Sequence, residues 1–198
     1  MKSVEYMWQY FQAGVILMWP LLACSIISLS IIFERFWFWN KLNIKKDSQI
    51  VSQILSDLKK NDFIEPKKIT GLISSMIFAG IYAPPGERSK SMEVMALESL
   101  AKIRRGMGVL ETIITIAPML GIMGTILGII TSFNISRNTG INDPSVVMTG
   151  IGEALITTVA GLAITVVTIF PYNYFTSRLE EVQDLMEIYS TKLEIILK

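Results

Sequence analysis

The chain has 198 residues, 51% of them hydrophobic and only 18% charged, with 18 Lys and Arg against 17 Asp and Glu. A soluble domain carries about 25% charged residues, and a mean hydropathy of +0.48 is too high for an ordinary globular surface. Disorder, a disulfide scaffold, a plain soluble enzyme and nucleic-acid binding by bulk charge are excluded as first readings, which leaves an all-α integral membrane protein.

Residues 1–11 read as a short periplasmic or interfacial N-terminus whose only Lys or Arg is Lys2. Residues 6–33 then hold no charge. A helix needs roughly 20 apolar residues to cross a bilayer, so a first transmembrane helix is expected over 12–36. A cleaved signal peptide is the competing reading, but its apolar core runs only about 7–15 residues, and no small-x-small cleavage site follows here. Aromatic residues flank this span, with Trp8, Tyr10 and Phe11 at one end and Phe36, Trp37, Phe38 and Trp39 at the other. Cys24 lies inside it and, as the lone cysteine, can form no internal disulfide. With no His either, a zinc site is not expected, and neither is any other metal or cofactor.

Residues 37–111 are expected to form a large helical cytoplasmic loop. Of the 18 Lys and Arg, 13 fall between positions 34 and 111, which puts this loop inside under the positive-inside rule. Ile50, Ile54, Leu55 and Leu58 recur at helical spacing, Ala83-Pro84-Pro85-Gly86 is a break, and Met92, Met95, Leu100, Ile103, Met107 and Leu110 line one side of a single helix expected over 87–111. A second span is expected over 112–136, where no charge occurs, a short periplasmic loop over 137–146, and a third span over 147–175, with Tyr172 and Tyr174 near its inner end. The cytoplasmic tail 176–198 carries a seam of Leu179, Val182, Met186, Tyr189, Leu193 and Ile196 in steps of three and four. Its partner is either the 87–111 helix or another subunit. The N-terminus is therefore expected in the periplasm and the C-terminus in the cytoplasm.

Between 144 and 177 one charge stands alone, Glu153. A charged side chain at mid-membrane costs on the order of 3 kcal/mol, and a carboxyl sheds much of that cost by holding a proton while dry. A group that is neutral when dry and ionised when wet is suited to carrying protons. The competing reading puts Glu153 at the outer boundary, in reach of water. Thr157 is four residues on, over the same helical face, and Thr158 flanks it. Thr125 lies in the second span. A hydroxyl donates and accepts, so these can relay hydrogen bonds, or each can simply bond back to its own helix. Gly121, Gly124, Gly128, Gly150 and Gly161 form small-x-x-x-small patterns that let helix backbones approach closely, and Pro20 and Pro118 can kink the first two spans. One carboxyl and scattered hydroxyls cannot take a proton across a bilayer alone. A channel therefore requires a ring of subunits around a wet pore, or a partner with its own acid.

The second span, from Leu110-Glu111-Thr112 through Ala117-Pro118-Met119-Leu120-Gly121-Ile122-Met123-Gly124-Thr125 to Gly128, resembles the MotA/TolQ/ExbB proton-channel family. So does Gly150-Ile151-Gly152-Glu153-Ala154-Leu155-Ile156-Thr157-Thr158-Val159-Ala160-Gly161-Leu162 followed by Tyr172-Asn173. The three-span topology is closer to ExbB and TolQ than to the four-span MotA. The resemblance implies a homopentamer in a bacterial inner membrane around a pore that holds the single spans of two ExbD- or TolR-like subunits. It also implies that proton flow energises a TonB- or TolA-type partner, and that Glu153, Thr125 and Thr158 line the proton path. Thr157 joins them from helical geometry. Alternatives are a Tol-Pal subunit, a gliding or flagellar-type stator subunit, or a non-conducting scaffold held together by the small-residue patterns. An enzyme is not expected, because no nucleophile–base pair and no phosphate loop with a Lys is present.

Overall fold

A computed structural model describes residues 16–60, 71–139 and 144–197. Every regular element among them is a helix: α1 Met18–Lys41, α2 Ile44–Lys59, α3 Leu72–Tyr82, α4 Arg88–Arg104, α5 Met107–Thr139 and α6 Pro144–Ile196. The N-terminal segment with Trp8, Tyr10 and Phe11 lies outside the described residues, as do Lys67, Lys68 and positions 140–143 of the expected external loop. Among the described residues, three helices are long and apolar enough to cross a membrane, with mean hydropathies of 1.7, 2.2 and 2.1 in their most apolar stretches. The chain divides into two compact units.

The first unit takes residues up to Phe33 together with Gly106–Tyr172. Its core is built where Leu21 of α1 meets Ile113 and Ala117 of α5, with Met18, Cys24, Leu120, Ala160 and Ile164 packed around them. The outward positions are apolar too. Ile26, Phe33, Ile122, Phe133, Val159 and Phe170 are all exposed, as lipid-facing or subunit-facing surfaces require. Pro118 does not interrupt α5. Its missing N–H frees the carbonyl of Ile114 four residues earlier, and the Thr165 hydroxyl of α6 lies 3.5 Å from that oxygen.

The second unit takes Glu34–Arg105 and Asn173–Lys198. Its core joins Val51, Ile54 and Leu55 of α2, Ile73, Met76, Ile77 and Phe78 of α3, Met92 and Ile103 of α4, and the tail seam, of which Leu179, Val182, Met186, Tyr189 and Leu193 are buried. The seam thus packs within its own chain. Tyr189 Oη lies 2.6 Å from Ser48 Oγ, and a Cβ at Gly80 of α3 would stand 2.7 Å from Met92 Cγ and 2.9 Å from Leu193 Cδ2. Buried Asp47 caps α3 from a different helix, accepting from Ile73 N at 2.8 Å and Ser74 N at 3.3 Å. Gly71, the N-cap residue itself, offers no side chain, and a Cβ there would overlap the Asp47 carboxylate. Buried Arg35 serves the opposite end of α4, donating to the carbonyls of Lys102 at 3.1 Å and Ile103 at 3.3 Å, which have no partner inside their own helix. On α6, hydrogen bonds to Tyr174 and then to Glu181 hold the Arg178 pKa above its ordinary value.

One expectation is corrected. The stretch 87–111 is not a single helix, because α4 ends at Arg104 and α5 begins at Met107. Gly106 adopts φ +80° between them, a left-handed conformation that glycine takes without strain and that no α-helix contains.

Candidate functional site

The contact between α5 and α6 is made of small residues. On α5, Ala117, Gly121, Gly124, Gly128 and Ser132 follow in steps of four, three, four and four, and all are buried. On α6, Ala154, Thr157, Gly161 and Thr168 are buried on the facing stripe. The backbones come close enough that no side chain fits at several positions. A Cβ at Gly121 would stand 2.9 Å from the Thr157 carbonyl oxygen and 3.0 Å from Thr158 Cα. At Gly161 it would overlap the Ala117 carbonyl oxygen, at Gly124 the Thr157 hydroxyl, and at Gly150 the Ser132 hydroxyl. Gly128 contributes through its carbonyl, which accepts from Ser132 Oγ at 2.8 Å.

This closeness brings hydroxyls of α6 onto the backbone of α5. Thr157 Oγ1, fully buried, lies 2.7 Å from the Ala154 carbonyl of its own helix and 3.1 Å from the Gly121 carbonyl across the interface. A threonine has one hydroxyl proton, so the two oxygens share it. Thr158 differs, because both of its bonds leave its own helix. Its hydroxyl lies 3.1 Å from the Gly121 carbonyl and 3.4 Å from Thr125 Oγ1. Thr125 in turn donates to the Ile122 carbonyl at 2.7 Å. The single Thr158 proton is shared between the nearer Gly121 carbonyl and Thr125 Oγ1, and Thr158, Thr125 and the Ile122 carbonyl lie in series, the two threonines half-buried at the edge of the helix pair. Most other hydroxyls on these helices bond back to a carbonyl three or four residues earlier, among them Thr112, Thr115, Thr131, Ser132 and Thr168.

Glu153 does not join this network. It is half-buried, and among the described residues it makes no hydrogen bond or ion pair. Glu153 and Thr158 are five residues apart, which places them about 140° apart around the helix axis at 3.6 residues per turn. Each sits one residue to the side of the buried stripe, Glu153 before Ala154 and Thr158 after Thr157, so they flank it on opposite sides. The structure unites Thr125, Thr157 and Thr158 around the Gly121 carbonyl and leaves the carboxyl on the far flank. Ser132 and Ala117, which complete the stripe, are not singled out by the glycine patterns. The continuous spacing of small residues from 117 to 132 is the signal that identifies them. Thr165 donates to the Gly161 carbonyl of its own helix at 3.0 Å, and its hydroxyl stands 3.5 Å from the Ile114 carbonyl that Pro118 leaves without its N–H.

Comparison with known proteins adds a second, independent line. Residues 55–188 match the sequence model of the MotA/TolQ/ExbB proton channel family. The chain is 35% identical over 198 residues to the putative biopolymer transport protein ExbB-like 1 of Synechocystis sp., covering 94% of this chain and 77% of that protein. It is 30% identical over 189 residues to a putative biopolymer transport protein ExbB homolog of Methanothermobacter thermautotrophicus, covering 91% of this chain and 66% of the relative. Against the biopolymer transport protein ExbB of Salmonella typhimurium, identity is 39% over 75 residues, or 38% of this chain and 31% of that one. The family match takes in α3, α4, α5 and most of α6, including the whole small-residue interface and Glu153, and the chain belongs to the MotA/TolQ/ExbB proton channel family.

Proposed function

We propose that the chain is a proton-channel subunit of an ExbB/TolQ-like motor of the bacterial inner membrane, which uses the proton motive force to energise a TonB- or TolA-type partner spanning the periplasm. The observation that carries this reading is Glu153, the sole charge between 144 and 177, set on a long apolar helix whose opposite flank carries Thr158 of the Thr158–Thr125 hydroxyl pair. On this reading Glu153 takes up and releases the proton, Thr125 and Thr158 conduct it onward, and Thr157 forms the wall, its own proton held between two carbonyls. Glu153 and the hydroxyl pair flank opposite sides of one helix pair, so the path closes between chains. That supports a ring of copies, five on the family's pattern, enclosing two ExbD- or TolR-like single spans that supply the second acid. The basic stretch between 34 and 111 and the tail lie in the cytoplasm, and the N-terminus lies in the periplasm. One charge crossing 100 mV releases about 2.3 kcal/mol, enough to bias a rotation or a tilt in each step.

The test is Glu153→Gln and Glu153→Ala in the native host, scored for uptake that depends on a TonB-type partner and for envelope integrity that depends on a TolA-type one. Loss of either activity with normal assembly is expected. Full activity in Glu153→Gln would instead favour a scaffold, whose disruption requires bulky residues at Gly124 or Gly161.

A further inference from the structure

Beside the last turn of α1, within the second unit, two adjoining hollows of about 150 and 270 Å³ share Trp39, Leu42, Asn43, Tyr174 and Arg178 in their lining. Three features of this crevice point to a bound anion. Trp39 is only 7% exposed, yet its indole N–H has no acceptor among the described residues, and a buried donor left unpaired is costly. Helix α2 begins at the rim. Its N-cap Asn43 side chain accepts from Lys46 N, while the N–H groups of Ile44 and Lys45 have no partner inside the helix, and the helix N-terminus favours negative charge. The charged groups on the lining are Lys45, Arg178 and Glu181. Glu181 holds one arm of Arg178 at 2.6 Å, so the crevice keeps an excess of one positive charge, and Lys45 makes no ion pair among the described residues.

The position of the crevice says which anion. Trp39 sits at the end of the helix that begins as the first apolar span, where Phe36 and Trp37 are exposed, and aromatic residues of this kind collect at the headgroup level of a bilayer. We propose that the crevice binds the phosphate headgroup of an anionic phospholipid. The phosphate oxygens accept from Trp39 and from the first turn of α2, Lys45 and Arg178 balance the charge, and the acyl chains lie along the exposed aromatic face. The site is independent of the proton path, and neither Glu153 nor the threonines belong to it.

The experiment is native mass spectrometry of the full-length protein in mild detergent with added palmitoyl-oleoyl phosphatidylglycerol, the matched phosphatidylcholine, or inorganic phosphate. Phosphatidylglycerol should be retained in preference to phosphatidylcholine. Lys45→Gln should weaken its retention about fivefold, the value of one cation near a membrane surface, while Lys59→Gln at the other end of α2 should leave it unchanged. Arg178→Gln also removes the contacts with Tyr174 and Glu181, so Lys45→Gln is the deciding charge variant. Trp39→Phe keeps an aromatic ring but removes part of a buried one together with the N–H, which has no acceptor among the described residues, so it should lower retention and also thermal stability, and Lys45→Gln, which leaves the core intact, is read beside it. Equal retention of the two lipids, retention unaffected by Lys45→Gln and Trp39→Phe, or displacement of the lipid by inorganic phosphate would each overturn the proposal.

Discussion

Glu153 sits beside a helix contact that has no room for a side chain of its size. The stripe between α5 and α6 admits glycine, alanine, serine and threonine, and the carboxyl stands just off it. The two neighbouring threonines should separate by experiment. Thr157 is sealed and bonds across the interface as well as to its own helix, so Thr157→Val should cost stability, about 0.5–1.5 kcal/mol for one net hydrogen bond, read as a lower unfolding midpoint in detergent. Thr158 bonds only across the interface and reaches Thr125. Thr158→Val keeps the shape and removes the relay, so it should reduce proton-driven activity more than it shifts the unfolding midpoint. Glu153 was legible in the sequence as an isolated charge. That Thr158 and Glu153 stand on opposite flanks was not, because periodicity gives relative angles and only packing shows which stripe faces the neighbouring helix.

At the scale of elements, charge-free runs made the three long helices legible, since few structures other than a membrane helix tolerate so many apolar residues in sequence. Helix α3 was less so. Its eleven residues are almost uniformly apolar and largely buried, which removes the polar–apolar contrast that reveals a period. Its start depends on a group 24 residues or more earlier in the chain, Asp47, which no local capping pattern predicts. Asp47→Ala should destabilise the second unit by about 0.5–2 kcal/mol, the usual cost of a lost cap, and Asp47→Asn by less, measured by denaturant unfolding. The end of α4 was misread for a related reason. A glycine inside a helical pattern is tolerated at modest cost, so Gly106 alone did not declare a break, and Arg35 closing the carbonyls of Lys102 and Ile103 comes from a distant helix. Gly106→Ala should cost about 1–2 kcal/mol, because an L-residue is strained at φ +80°.

For the whole molecule, the low charge content proves to be a division of labour. The second unit has an amphipathic, capped and hydrogen-bonded core of the kind found in water. The first is apolar outside and joined inside by small residues, where close backbone approach replaces the hydrophobic effect as the source of cohesion. A bulky side chain there should be felt at once. Gly161→Val should lower the unfolding midpoint and the yield of assembled complex, since even a Cβ meets the Ala117 carbonyl. The central claim is that Glu153 carries the proton, and proton flux into proteoliposomes holding the chain together with the single-span partner proposed for it tests it most directly. Under an imposed potential, Glu153→Gln should assemble to the same size as the unaltered protein and pass no protons above the level of protein-free vesicles. Wild-type flux through Glu153→Gln would contradict the account.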